Sequence, residues 1–130
     1  MHRTAAFAAA ALLTLATAVP AYAADGEPGP PRGLFLTVSG SQNTWIRGVL
    51  LHCSPRPGGA HPDPVAACEA LAAARGDLDR LPGNPHPCVK TFDPVTVEAT
   101  GAWRDRPTAW HKTYANACEL DAATGEVFDF

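Results

Sequence analysis

The chain is poor in the residues and spacings that catalysis draws on. It has only Ser39, Ser41 and Ser54 as serines, each in or beside a glycine- or proline-rich turn. His52, His61, His86 and His111 are scattered, with none in the His-Glu-x-x-His spacing of a zinc protease. No Cys-x-x-Cys pair occurs, so the cysteine spacing does not suit zinc. A glycine-rich phosphate loop between a strand and a helix is also missing. An enzyme needs a nucleophile with its base, or a metal cluster. The sequence offers neither and reads as a binding protein, not an enzyme, with no cofactor and no metal. Positive charge is scarce too. Ten Lys and Arg stand against thirteen Asp and Glu, a formal net charge of −3. With no basic run or patch, nucleic acid and an anionic membrane surface are excluded as partners. After Val19 no segment is apolar for long enough to span a bilayer.

What is present begins with an export signal. Met1-His2-Arg3 is a short positive start, and Ala5 to Val19 is an apolar run containing Phe7, Leu12, Leu13 and Leu15. Ala21-Tyr22-Ala23 fits the small-x-small rule, so residues 1–23 read as a signal peptide cut before Ala24. The apolar run is shorter than the ~20 residues of a membrane anchor. The protein is therefore expected to be secreted, and the remaining length suits one domain. Within it, 24–33 holds Gly26, Pro28, Gly29, Pro30 and Pro31. Such a stretch cannot offset its ordering entropy by burial and is expected to be a flexible arm. Residues 34–130 form the domain.

Four cysteines lie in that domain: Cys53, Cys68, Cys88 and Cys118. An even count in an exported chain reads as two disulfides, with three pairings open. Sequential pairing is the favoured reading. In the chain-entropy account its two loops are worth roughly 3 and 3.5–4 kcal/mol.

Leu34 to Val38 reads as a strand stopped by Ser39-Gly40-Ser41, and Trp45 to Cys53 as its antiparallel neighbour. Ser54 to Gly59 is a loop by its turn signals. Asp63 and Pro64 are an N-cap and first position for a helix in which Val65, Cys68, Leu71 and Ala72 share the packed face. Arg75-Gly76 ends it, and Asp77 to Leu81 adds a turn. Val95 to Ala99 alternates as a half-exposed strand and continues to Trp103, with Gly101 marking a bulge or bend. Arg104 to Pro107 turns into a strand from Thr108 to Tyr114. Asn116 to Glu119 has capping-box spacing for a short helix to about Ala123. Val127 to Phe130 reads as a last strand with both Phe side chains on one face. The sum is an α+β domain of about five antiparallel strands.

The stretch with the most chemistry is Cys88-Val89-Lys90-Thr91-Phe92-Asp93-Pro94-Val95, led in by Pro82, Pro85 and Pro87. Proline fixes φ and pushes its predecessor toward extended geometry, so Arg80 to Lys90 should be a stiff, extended surface loop. A disulfide at Cys88 would anchor it beside Lys90. A rigid, convex segment offering one basic residue is what a serine protease cleft accepts.

These residues resemble the Streptomyces subtilisin inhibitor (SSI) family. The resemblance runs through Gly59-Ala60-His61-Pro62-Asp63-Pro64-Val65-Ala66-Ala67-Cys68, Leu71, Gly76-Asp77-Leu78 and Cys88 to Val95. It continues in Gly101-x-Trp103, Tyr114, Asn116-x-Cys118-Glu119 and Val127-Phe128-x-Phe130. It implies a five-stranded antiparallel sheet with two helices packed on one face, and disulfides Cys53–Cys68 and Cys88–Cys118. It further implies a homodimer through the open sheet face. The implied function is a secreted serine protease inhibitor acting substrate-like on subtilisin-like and trypsin-like enzymes. On that reading the reactive bond is Lys90–Thr91, and Pro87, Cys88, Val89, Lys90, Thr91 and Phe92 contact the protease. Val89 departs from the family, where proline is often found.

The resemblance also gives Asn116 a side-chain hydrogen bond to the loop backbone, although a plain helix cap would explain this residue equally well. Phe92 reads equally as a core plug, and Trp45, Trp103 and Trp110 as core or dimer-face residues. Arg104 and Arg106 flank a turn and are the rival bait positions. The alternative function is a secreted binding module of the same architecture that inhibits nothing.

Overall fold

The computed structural model describes residues 32–130. The expected signal peptide and most of the expected arm lie outside them; Gly33, placed in that arm by the sequence, is already the first residue of a strand.

Strand β1, Gly33–Ser39, runs through the middle of the sheet. Its alternation decides the layering: Leu34, Leu36 and Val38 are buried, while Phe35 faces the other side half exposed. β2 (Ile46–His52) and β4 (Val95–Trp103) flank it antiparallel, so that Leu36 stands opposite both Val49 and Ala99. β5 (Arg106–Tyr114) pairs with β4. The two-residue Gly58–Gly59 segment, β3, pairs with Leu51 and His52 at the other edge. The order is β3-β2-β1-β4-β5.

α1 (Pro64–Ala73) and α2 (Ala117–Thr124) cover the face that carries Leu34, Leu36, Val38, Val95, Val97 and Ala99. Asp63 caps α1 by accepting from the Ala66 amide at 3.1 Å, and Pro64 takes the first helical position, where its missing N–H costs nothing. The two disulfides are Cys53–Cys68 and Cys88–Cys118, as sequential pairing required. The first ties α1 to the end of β2. No helix among the described residues is long and apolar enough to cross a membrane.

Four local expectations are corrected. The packed face of α1 is Ala67, Cys68 and Leu71, continued by Ala74, while Val65 and Ala72 face solvent. The apolar content of this alanine-rich helix is nearly uniform around its axis, so spacing alone could not choose the face. Val127 to Phe130 is no strand. Gly125–Phe128 forms a 3-10 turn in which the consecutive Val127 and Phe128 are both buried, which the two-sided alternation of a strand does not allow. This turn plugs the core, and His61 Nε2 lies 3.1 Å from the Val127 carbonyl. The fifth strand is β3, inside the Ser54–Gly59 loop. Gly101 interrupts no register: Leu34 opposes Gly101 and Phe35 opposes Thr100 without an extra residue. Its φ is +122°, and a Cβ there would lie 2.2 Å from the Gly33 carbonyl oxygen, so close strand approach is the reason for glycine.

Candidate functional site

Residues 81–94 carry neither helix nor strand. The loop is nonetheless fastened along its length to α2 and to the residues that lead into it. At its start, the Asn84 amide donates to the Ala122 carbonyl at 3.1 Å, and Asn84 Nδ2 donates to Asp121 Oδ2 at 3.3 Å. Gly83 lies close enough to α2 that a Cβ would sit 2.3 Å from the Ala122 oxygen. In the middle, Cys88–Cys118 bolts the loop to the first turn of α2, with the Cα atoms 5.8 Å apart. At its end, the Asp93 amide donates to the Ala115 carbonyl at 2.9 Å.

Asn116 does the finest work. It is nine-tenths buried, and its Nδ2 donates both to the Val89 carbonyl at 3.2 Å and to the Thr91 carbonyl at 2.7 Å. Its Oδ1 accepts from the Glu119 amide at 2.9 Å and so caps α2. Helix cap and loop support, alternatives in the sequence, are both true because the amide has a donor end and an acceptor end. The two carbonyls it holds flank Lys90. Among the described residues no hydrogen bond engages the Lys90 carbonyl itself.

Between these anchors the chain bows outward. Val89 is 80% exposed, Phe92 82%, and the Lys90 side chain 92%. Phe92 is therefore no core plug; it stands beside an open concavity of about 510 Å³ formed with Gly40–Asn43 and Pro94. Lys90 Nζ lies 3.8 Å from Glu119 Oε1, a solvent-screened pair that holds it weakly. Covering Val89 and Phe92 would each contribute about 1.5–3 kcal/mol. That potential is left unused by the chain itself.

The rival bait positions both belong to the β4–β5 hairpin, Arg104 in its left-handed turn and Arg106 in the first paired position of β5. Arg104 and Asp105 have φ of +46° and +63° and form the two-residue turn between β4 and β5, with Trp103 paired to Arg106 on either side. A left-handed hairpin tip cannot lie extended in a protease cleft. The tryptophans divide: Trp103 is buried, Trp110 partly so, and Trp45 is 41% exposed. His86, Cys88 and Cys118 lie close together, but both sulfurs are engaged in the disulfide and present no thiolate to a metal.

The subtilisin inhibitor-like family model matches residues 30–116. The chain belongs to the subtilisin inhibitor-like family. It is 40% identical over 131 residues to the subtilisin inhibitor of Streptomyces violaceus, covering 92% of this chain and 90% of that one. With subtilisin inhibitor-like protein 5 of Streptomyces fradiae it shares 39% identity over 105 residues, 77% of this chain and 98% of the relative. Among solved structures it is similar to Streptomyces caespitosus sermetstatin in complex with Bacillus licheniformis subtilisin. There the TM-score is 0.60 at 35% identity, covering 78% of this chain and 100% of that one. The five-stranded antiparallel sheet, the two helices and the two disulfides described above are those that the resemblance implied.

The sequence left unseen the attachments that flank the disulfide, at Gly83, Asn84 and Asp93. Arg80 to Lys90 was legible as a stiff, proline-led loop, but its docking on the end of α2 depends on where the fold carries that helix.

Proposed function

We propose that this protein is a secreted inhibitor of subtilisin-like and trypsin-like serine proteases, binding as a substrate does, with Lys90–Thr91 as the reactive bond. The observation that carries the reading is the pair of hydrogen bonds from Asn116 Nδ2 to the Val89 and Thr91 carbonyls. They brace the backbone on both sides of Lys90 and leave its own carbonyl free for an oxyanion hole.

In this reading Lys90 enters the primary specificity pocket. A trypsin-like pocket with a buried carboxylate favours the ammonium. In a roomier apolar pocket the Lys stem packs while its head reaches water. Pro87, Cys88 and Val89 line the cleft before the reactive bond, and Phe92 lies after it. When the catalytic serine attacks the Lys90 carbonyl carbon, the Thr91 amine becomes the leaving group. Asn116 on the Thr91 carbonyl, Ala115 on the Asp93 amide and the Cys88–Cys118 bridge keep that amine beside the acyl carbon. Effective molarities for groups held so reach roughly 10⁵ M or more, so re-ligation outruns hydrolysis. The stiff loop also loses little entropy on docking, which favours tight binding through an interface of ordinary size.

The homodimer belongs to the same reading. Phe35, Ile46 and Leu50 are 50%, 63% and 46% exposed on the sheet face away from the helices, an apolar area suited to a second copy.

Titration of subtilisin and of trypsin with the purified protein tests the function. Stoichiometric loss of activity is expected, followed after long incubation by a slowly accumulating new N-terminus at Thr91. Rapid cleavage there with full recovery of protease activity refutes the mechanism. Absence of any inhibition leaves a secreted binding module.

A further inference from the structure

The bridge that anchors the reactive loop has a neighbour that the other bridge lacks. His86 Nε2 lies 3.3 Å from Cys118 Sγ. Its Nδ1 faces the Asn84 carbonyl, which can only accept, so Nδ1 carries a hydrogen and the Nε2 position is the one turned to sulfur. Asp121 Oδ2 lies 3.6 Å from Nδ1, a counter-ion for the ring when it is protonated. The imidazole thus has the carboxylate near one nitrogen and the sulfur near the other, and a protonated ring so placed stabilises a thiolate. Cys118 is also in the first turn of α2, where the helix dipole favours negative charge. Each sulfur has a main-chain oxygen at 3.9 Å, that of His86 for Cys88 and that of Pro87 for Cys118, so the two differ in that the ring nitrogen in hydrogen-bond reach and the helix turn belong to Cys118. Cys88 and Cys118 are both part-exposed. At the other bridge, Cys68 is buried in the core cluster, with the His52 main-chain oxygen 3.7 Å from its sulfur.

We propose that Cys88–Cys118 is a thiol-exchange site, at which a low-molecular-weight thiol adds to Cys88 and Cys118 departs as a thiolate received by His86. The incoming thiolate forms a bond to Cys88 Sγ as the Cys88–Cys118 bond breaks, and the electron pair of that bond leaves on Cys118. A proton held on His86 Nε2, drawn from solvent, passes to the departing sulfur. One disulfide and one thiol become one mixed disulfide and one thiol, so the step balances. Exchange favours the sulfur whose partner is the better leaving group, which fixes the direction of attack. The consequence, which rests on the inhibitor reading, is that S-thiolation at Cys88 frees the loop two residues from Lys90 and converts an inhibitor into a substrate.

The test uses the intact folded protein and reduced glutathione as the probe, quenched with iodoacetamide and read by peptide mass spectrometry. Glutathione is expected on Cys88 and carbamidomethyl on Cys118, with this bridge opening at least about tenfold faster than Cys53–Cys68. His86→Ala should slow opening severalfold. His86→Gln, which keeps a hydrogen bond to the Asn84 carbonyl, should do the same while staying folded by circular dichroism. Glutathione chiefly on Cys118, equal opening of the two bridges, or undiminished opening in His86→Gln each overturns the proposal. Inhibition of subtilisin is assayed on the same samples before exchange. Failure there removes the inhibitor reading and leaves the exchange site to stand or fall on the mass data.

Discussion

Asn116 joins the helix cap and the loop brace in one side chain, and two substitutions separate them. Asn116→Ser keeps an oxygen able to accept from the Glu119 amide but is too short to reach the Val89 and Thr91 carbonyls; Asn116→Ala loses both functions. Each lost loop bond is worth about 0.5–1.5 kcal/mol, so roughly 1–3 kcal/mol of loop bracing disappears in either variant. Both carbonyls belong to exposed residues, where water re-satisfies them, so this loss should fall on inhibition more than on folding. At about 1.4 kcal/mol per tenfold, inhibition of subtilisin should weaken some 5- to 150-fold in both variants and become transient, with cleavage at Thr91. Only Asn116→Ala should also lose about 1 kcal/mol of stability through the missing cap. Urea unfolding measures the second effect, and progress curves against subtilisin measure the first. If Asn116→Ser inhibits as tightly and as durably as the parent, the brace does not matter and the mechanism built on it is wrong.

Three further outcomes are expected. Lys90→Glu should abolish trypsin inhibition and leave the melting temperature nearly unchanged, because the side chain is 92% exposed; a fall in melting temperature would show a structural role. Replacing both Cys88 and Cys118 by Ser should cost roughly 3.5 kcal/mol of stability and turn the protein into a substrate. A long-lived uncleaved complex with that variant would contradict tethering by the bridge. Tyr114 is held above the ordinary phenol value by burial and then by the Asp79 carboxylate. A folded pKa above the unfolded one gives stability that is complete below about pH 10 and lost as pH rises through the folded value. In a chain beginning at Ala24 it is the only tyrosine, so absorbance at high pH should report a single phenol ionising later than in the urea-unfolded protein.

Much of this architecture was legible in the sequence because short-range patterns carried it. The alternation of Leu34, Leu36 and Val38, the Asp63-Pro64 start of α1 and the Asn116 cap of α2 each follow from local chemistry. The even cysteine count narrowed the bridges to three pairings. Where the reading failed, long-range packing decided. Val127 and Phe128 suit a strand by composition, yet the gap between α1, α2 and β1 takes both side chains, and only a tight turn can deliver two neighbours to one side. Gly58–Gly59 has no side chain to announce a strand; the free edge of β2 made it one. The Cys88–Cys118 bridge and the Asn116 contact to the loop were among the expectations, whereas the remaining fastenings of the loop were not. Gly83, Asn84 and His86 meet α2, and Asp93 the residue before its cap, only after the intervening chain has folded back.

The isolation of Lys90 has a practical side. Its side chain is 92% exposed, and among the described residues it pairs with the Glu119 carboxylate 3.8 Å away, so nothing in the core depends on its shape. Whatever is placed at that position inherits a finished scaffold. Methionine, leucine or arginine there should redirect the same framework toward different proteolytic enzymes by a single codon change.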